Sequence, residues 1–126
     1  MPRVELPDPV KLLIGFYESR VDADVYGGVP KPRPDVFVTV ERTGGPVLNR
    51  VMEQPQVTLG AWAGSKAAAF ELAGSLTWFL LNDRAGLPLV RRVDVLSTYW
   101  DPDPDSKHAR VSVLLQLTTR ATRKTS

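Results

Sequence analysis

Three aspartates alternate in the stretch Asp101-Pro102-Asp103-Pro104-Asp105-Ser106. Asp101, Asp103 and Asp105 match the first three ligand positions of an EF-hand loop, whose carboxylates suit a hard cation. The match stops there. Ser106 stands where that loop needs glycine, and the twelfth position is Ser112, not a bidentate glutamate. The stretch therefore reads as an acidic turn. His108 is the one histidine, and with no cysteine in the chain it lacks the partners a transition metal requires. It reads as a surface or hydrogen-bonded polar residue. Gly64-Ser65-Lys66 lacks the upstream spaced glycine of a phosphate-binding loop. No Gly-x-Ser-x-Gly nucleophile elbow occurs. Glu41, Arg42 and Glu71 have the chemistry of acid–base groups, but their spacing assembles no site, and Glu71 is expected on a solvent face. The expectation is a non-enzymatic protein that holds no cofactor and no metal.

Composition narrows the class further. The chain has 126 residues, 43% hydrophobic and 24% charged, which suits one soluble domain spanning residues 1–126. Without cysteine, disulfides and thiol chemistry are excluded. The start, Met1-Pro2-Arg3-Val4-Glu5, has no apolar signal core, and Leu76–Leu81 is too short to span a bilayer. A cytoplasmic protein without membrane contact is expected. The net charge is +2 and the pI about 9.2. The excess is local. Removing Arg120, Arg123 and Lys124 from the 16 basic residues leaves 13 against 14 acidic ones. Residues 120–126 therefore read as a flexible basic tail. A nucleic-acid contact through that tail is the alternative, since a folded reader more often carries a basic patch on its body.

The elements that must position these groups follow from periodicity. Asp8-Pro9 is an N-cap followed by a proline suited to the first helical turn. Val10, Leu13, Ile14 and Tyr17 then share one face, which predicts a helix over Pro9–Ser19. Val21, Ala23 and Val25 alternate with Asp22, Asp24 and Tyr26, predicting a strand. Prolines at 30, 32 and 34 deny helix and central strand to Gly27–Pro34, leaving a stiff connection or a projecting arm. Asp35–Arg42 reads as a strand with Val36, Val38 and Val40 inward and Phe37, Thr39 and Glu41 outward. Gly44-Gly45 provides a turn with positive φ. Val47–Glu53 is a short strand or an irregular return. Gln56–Trp62 alternates with Val57, Leu59 and Ala61 inward. Ser65 caps a helix whose stripe is Ala69, Leu72, Ala73, Leu76, Phe79 and Leu80, broadened by Phe70 and Leu81. Leu89–Trp100 and Ala109–Thr119 form a long hairpin around the acidic turn. The fold class is α+β in the order α-β-β-β-α-β-β, with two helices on one face of a mostly antiparallel sheet.

That ordered set resembles the tail terminator proteins of long-tailed, siphovirus-type bacteriophages, especially those of actinobacterial hosts. The likeness runs through the helix Pro9–Ser19, the approach Pro30–Pro34, and Phe37-Val38-Thr39-Val40-Glu41-Arg42-Thr43-Gly44-Gly45. It continues through Val57–Trp62, the Ala-rich helix at Ala67–Ala73, and the final strand pair. Related head–tail connectors of the virion neck share a similar pattern and are the alternative within the class. The resemblance implies a virion protein, made in the host cytoplasm, that forms a ring, a hexamer, on the head-proximal end of the tail. Its implied partners are the tail tube protein, the connector or stopper on the head side, and DNA passing through the channel without sequence recognition. A ring subunit needs two different complementary surfaces, and open strand edges can supply them. Length, stiffness and charge beyond what a core requires mark the expected contacts: Pro30, Lys31, Pro32, Arg33 and Pro34 in the arm, Arg42 at the turn, Asp101, Asp103 and Asp105 in the hairpin, and Arg120, Arg123 and Lys124 in the tail.

Overall fold

A computed structural model describes residues 3–124, with the side chains of Arg3, Arg123 and Lys124 outside that description. Helix α1 spans Pro9–Glu18, one residue shorter than the periodicity predicts. The Asp8 carboxylate accepts from the amides of Val10 (2.9 Å) and Lys11, satisfying donors that the first turn leaves open. Helix α2 spans Lys66–Asn82, capped by the Ser65 hydroxyl, which accepts from Ala68 N–H at 3.2 Å. The strands are β1 (Arg3–Glu5), β2 (Asp24–Tyr26), β3 (Phe37–Gly44), β4 (Met52–Glu53), β5 (Gln56–Ala63), β6 (Val90–Trp100), β7 (Ala109–Arg120) and β8 (Thr122–Lys124).

The main sheet runs β2-β3-β5-β7, with β6 on the far side of β7. β2 is parallel to β3, and every other pairing is antiparallel. β4 and β5 follow one register along β7, Glu53 opposite Thr119 and Gln56 opposite Gln116. The chain bends between them at Pro55, whose carbonyl accepts from Leu117 N–H. The class is the α+β arrangement expected.

Both helices cover one face. Leu13, Phe16 and Tyr17 of α1 and Ala69, Ala73, Leu76 and Leu80 of α2 are buried against Val38, Val40, Val57, Leu59, Ala61, Val113, Leu115 and Leu117. Two alanines on the buried stripe let α2 approach the sheet closely. The Tyr17 hydroxyl donates to the Leu76 carbonyl at 2.8 Å, tying the helices together, and burial pushes its phenol pKa up.

Several expectations are corrected. Only Asp24–Tyr26 of the predicted 21–26 strand pairs, because β3 begins at Phe37, opposite Asp24, and residues 21–23 fall before it. Val36 is 49% exposed and not core, since β3 begins one residue later. Phe37 and Thr39, read as outward, are buried, so this part of the sheet is covered on both faces. Phe70 and Leu81 do not widen the buried stripe of α2; they are 40% and 62% exposed. The expected loose basic tail has structure: Thr122–Lys124 pairs antiparallel with Arg3–Glu5, apart from the main sheet. Gly44 and Gly45 take φ of 144° and 102°, as the turn requires. A Cβ on Gly45 would collide with the Gln54 carbonyl and with Pro55 Cα at 2.7 Å.

Candidate assembly surface

The molecule has one end where loops close over the sheet and, among the described residues, a long strand edge that stays open. At the closed end the proline-rich loop folds back on the hairpin. Arg33 donates to the Ser106 hydroxyl at 2.7 Å and contacts Asp103 at 3.3 Å. Asp103 also accepts from the Ser106 hydroxyl and amide. These Ser106 hydrogen bonds, with Arg33 adding its charge, hold the Asp103 pKa down at about 2. Asp101 accepts from the Ser112 hydroxyl at 2.9 Å and meets Arg110 at 3.3 Å. Two of the three aspartates that resemble calcium ligands are thus committed to the protein's own donors. Asp105 is exposed, and among the described residues no cluster of three His, Cys, Asp or Glu side chains could hold a metal.

Trp62 is the centre of this end. It is 1% exposed although it lies on the face without helices. Its ring stacks on Phe37 at 4.9 Å and 13°. The guanidinium groups of Arg33 and Arg110 lie 5.2 and 4.7 Å from its centroid. The indole N–H donates to Thr39 Oγ1 at 3.0 Å. His108 packs edge-on against Trp62 and Phe37, and its Nε2 lies 2.8 Å from the Asp35 carbonyl. His108 is therefore a satisfied polar residue that pins the loop. Alternation alone gave no sign of this burial. The signal available was an aromatic pair, Phe37 and Trp62, on a nominally outward face, with Arg33, His108 and Arg110 in the segments that converge there.

The other expected contact residues are spread apart. Pro30–Pro34 is a surface loop with Arg33 anchored and Lys31 exposed. Arg42 is held within the chain: its Nη2 lies 2.7 Å from Glu53 Oε2, and the Glu53 side chain is 4% exposed. Arg120 ends β7 and is exposed. The side chains of Arg123 and Lys124 lie outside the described residues.

The open edge is β6. Nine of its 11 residues pair with β7 on one side, and among the described residues no strand pairs with the other. Two register shifts, at Arg91 and Leu96, bulge the strand. Leu96, Tyr99 and Trp100 are 48%, 42% and 38% exposed. Beside this edge lies an apolar flank of α2. Phe70 and Leu81 sit roughly 100° around the helix from the buried stripe, whereas Trp78 (57% exposed) lies on the face turned away from the sheet, edge-on to Phe79 at 5.3 Å. Lys66, one turn before Phe70, places its ammonium 5.2 Å from the Trp100 ring centroid, so this flank faces β6. None of these residues was singled out from the sequence as a contact. The sequence signal for them was the excess of apolar residues on α2 beyond one stripe.

No protein-family model and no curated protein matches the chain. No helix among the described residues is long and apolar enough to cross a membrane.

Proposed function

We propose that this chain is a non-catalytic assembly subunit, a tail-terminator-like protein whose copies form a ring on the head-proximal end of a phage tail tube. The observation that carries the reading is the open β6 edge with the apolar α2 flank beside it. A long unpaired edge is normally blunted by charge, shortness or cover. Here two bulges and the charged Arg91, Arg92 and Asp94 blunt the first half, while Val95–Trp100 carries no charge and large apolar side chains gather next to it, as they do at interaction sites. The sheet has two unlike edges, three-residue β2 and 11-residue β6. Unlike edges can join head to tail, and such contacts close into rings when the rotation permits. In this role the ring, a hexamer, stops growth of the tube and presents a surface to the head connector or stopper, while DNA passes through its channel without sequence recognition. The residues taken up at the Trp62 end support the same reading, because their polar groups are spent on holding two loops in place.

The direct experiment adds the purified chain to tail tube protein under polymerising conditions and measures tube length by electron microscopy. Shorter tubes with density at one end are expected. Tubes of unchanged length with bare ends would overturn the proposal.

A further inference from the structure

The ring reading leaves open which surfaces join, and the sheet's directions and charges narrow that choice. β6 is antiparallel to β7, β7 to β5, and β5 to β3, while β2 is parallel to β3. β6 and β2 therefore run in opposite directions within one subunit. A neighbour related by a rotation that keeps strand direction would set its β2 antiparallel to β6, a sound ladder geometry. The levels also correspond. Val25 pairs with Val38, Val38 with Ala61, Ala61 with Val111, and Val111 with Trp100. β2 thus lies level with the Tyr99–Trp100 end of β6 across the sheet.

Chemistry at that level is complementary. The Trp100 end of β6 carries the Lys66 ammonium over its ring, with Phe70 one helical turn away on the same flank. The β2 edge bounds a cleft of about 450 Å³ lined by Glu18, Asp22, Asp24, Val25 and Tyr26 among others. Glu18, Asp22 and Asp24 are exposed there. Gly15, on α1 behind this edge, has open space where a side chain would be, so a neighbouring helix can approach α1 closely.

We infer that, within the ring proposed above, the Tyr99–Trp100 end of β6 with Lys66 and Phe70 docks onto the acidic β2 edge of the next copy. The sheet then continues from subunit to subunit, and the Lys66 ammonium faces Asp22 and Asp24 of its neighbour. The occupant is a second copy of this chain, because one molecule carries both the basic-aromatic edge and the acidic edge at matching height.

The test is a charge exchange. One variant carries Asp22→Lys with Asp24→Lys, the other Lys66→Glu; all three positions are exposed, so folding is not at stake. Oligomer mass is read by native mass spectrometry for each variant alone, for their equimolar mixture and for the wild type. Each variant alone is expected to lose the wild-type oligomer, since like charges meet at every contact. The mixture is expected to regain it, because opposite edges then alternate. Variants that assemble like the wild type, or a mixture that stays monomeric, would overturn this docking while leaving the ring reading standing. A wild type that stays monomeric both alone and on tube ends would overturn both.

Discussion

The Trp62 end and the β6 edge are built from the same residue types and put to opposite use. At the first, aromatic rings and arginines turn inward on each other: Trp62 stacks on Phe37, lies between Arg33 and Arg110, and donates to Thr39. Arg33, Asp101, Asp103 and Arg110 there each have a partner within the chain. At the second, Tyr99 and Trp100 of the strand that ends the sheet and Phe70 of the flank beside it remain exposed. The contrast separates stability from association. Aromatic and basic residues hold the monomer together where loops cover them, and they remain available to a partner where none does.

That separation is open to measurement, and the largest effect belongs to the closed end. Trp62→Ala removes a fully buried ring and its hydrogen bond, and is expected to cost about 4 kcal/mol in denaturant unfolding. A loss below about 1 kcal/mol would mean the loops do not depend on the ring. Arg42→Ala comes next. It leaves the buried Glu53 carboxylate without its cation, for an expected loss of about 2 kcal/mol. If Arg42 served chiefly as a partner contact, stability would stay unchanged while assembly failed. The open edge should behave in reverse. Phe70→Ser together with Leu81→Ser is expected to shift stability by less than about 0.5 kcal/mol per site and yet to reduce the oligomer fraction in light scattering.

The smallest effect concerns pH. Hydrogen bonds from Ser106, with Arg33 beside them, hold the Asp103 pKa at about 2, below its ordinary value of 3.8. A carboxyl depressed in the folded state contributes stability above its unfolded pKa, and that contribution is lost as pH falls. The Arg33–Asp103–Ser106 contact should therefore weaken only between about pH 4 and pH 2. The Ser106 amide resonance, followed by NMR, should titrate near the lower value. A midpoint near 4 would mean that the loop is not latched in solution.

Much of the scaffold was legible in the sequence because it rests on local signals. Asp8-Pro9 and Ser65 mark helix starts, the strands β5 and β7 alternate cleanly, and Gly44-Gly45 supplies the positive φ of the turn. What escaped depends on contacts distant in sequence. Trp62 is buried by Arg33 and Arg110, one 29 residues before it and the other 48 after it. Phe70 and Leu81 fall within a helical apolar pattern, yet one helix cannot press all its apolar residues on one sheet. The pattern told how many apolar residues α2 carries and not which of them the sheet leaves uncovered. Of the expected contacts, Arg33, Asp101, Asp103 and Arg42 have partners inside the chain. Thr122–Lys124 escaped the reading of a flexible tail for a similar reason, since β8 is held by β1 from the opposite terminus.

Hydrogen exchange along Val90–Trp100 tests the central claim most directly, compared between dilute monomer and assembled protein. The account predicts amides on the outer side of β6 that exchange freely in the monomer and slow markedly on assembly, strongest toward Tyr99 and Trp100. An assembled protein whose β6 amides exchange as fast as in the monomer would contradict it.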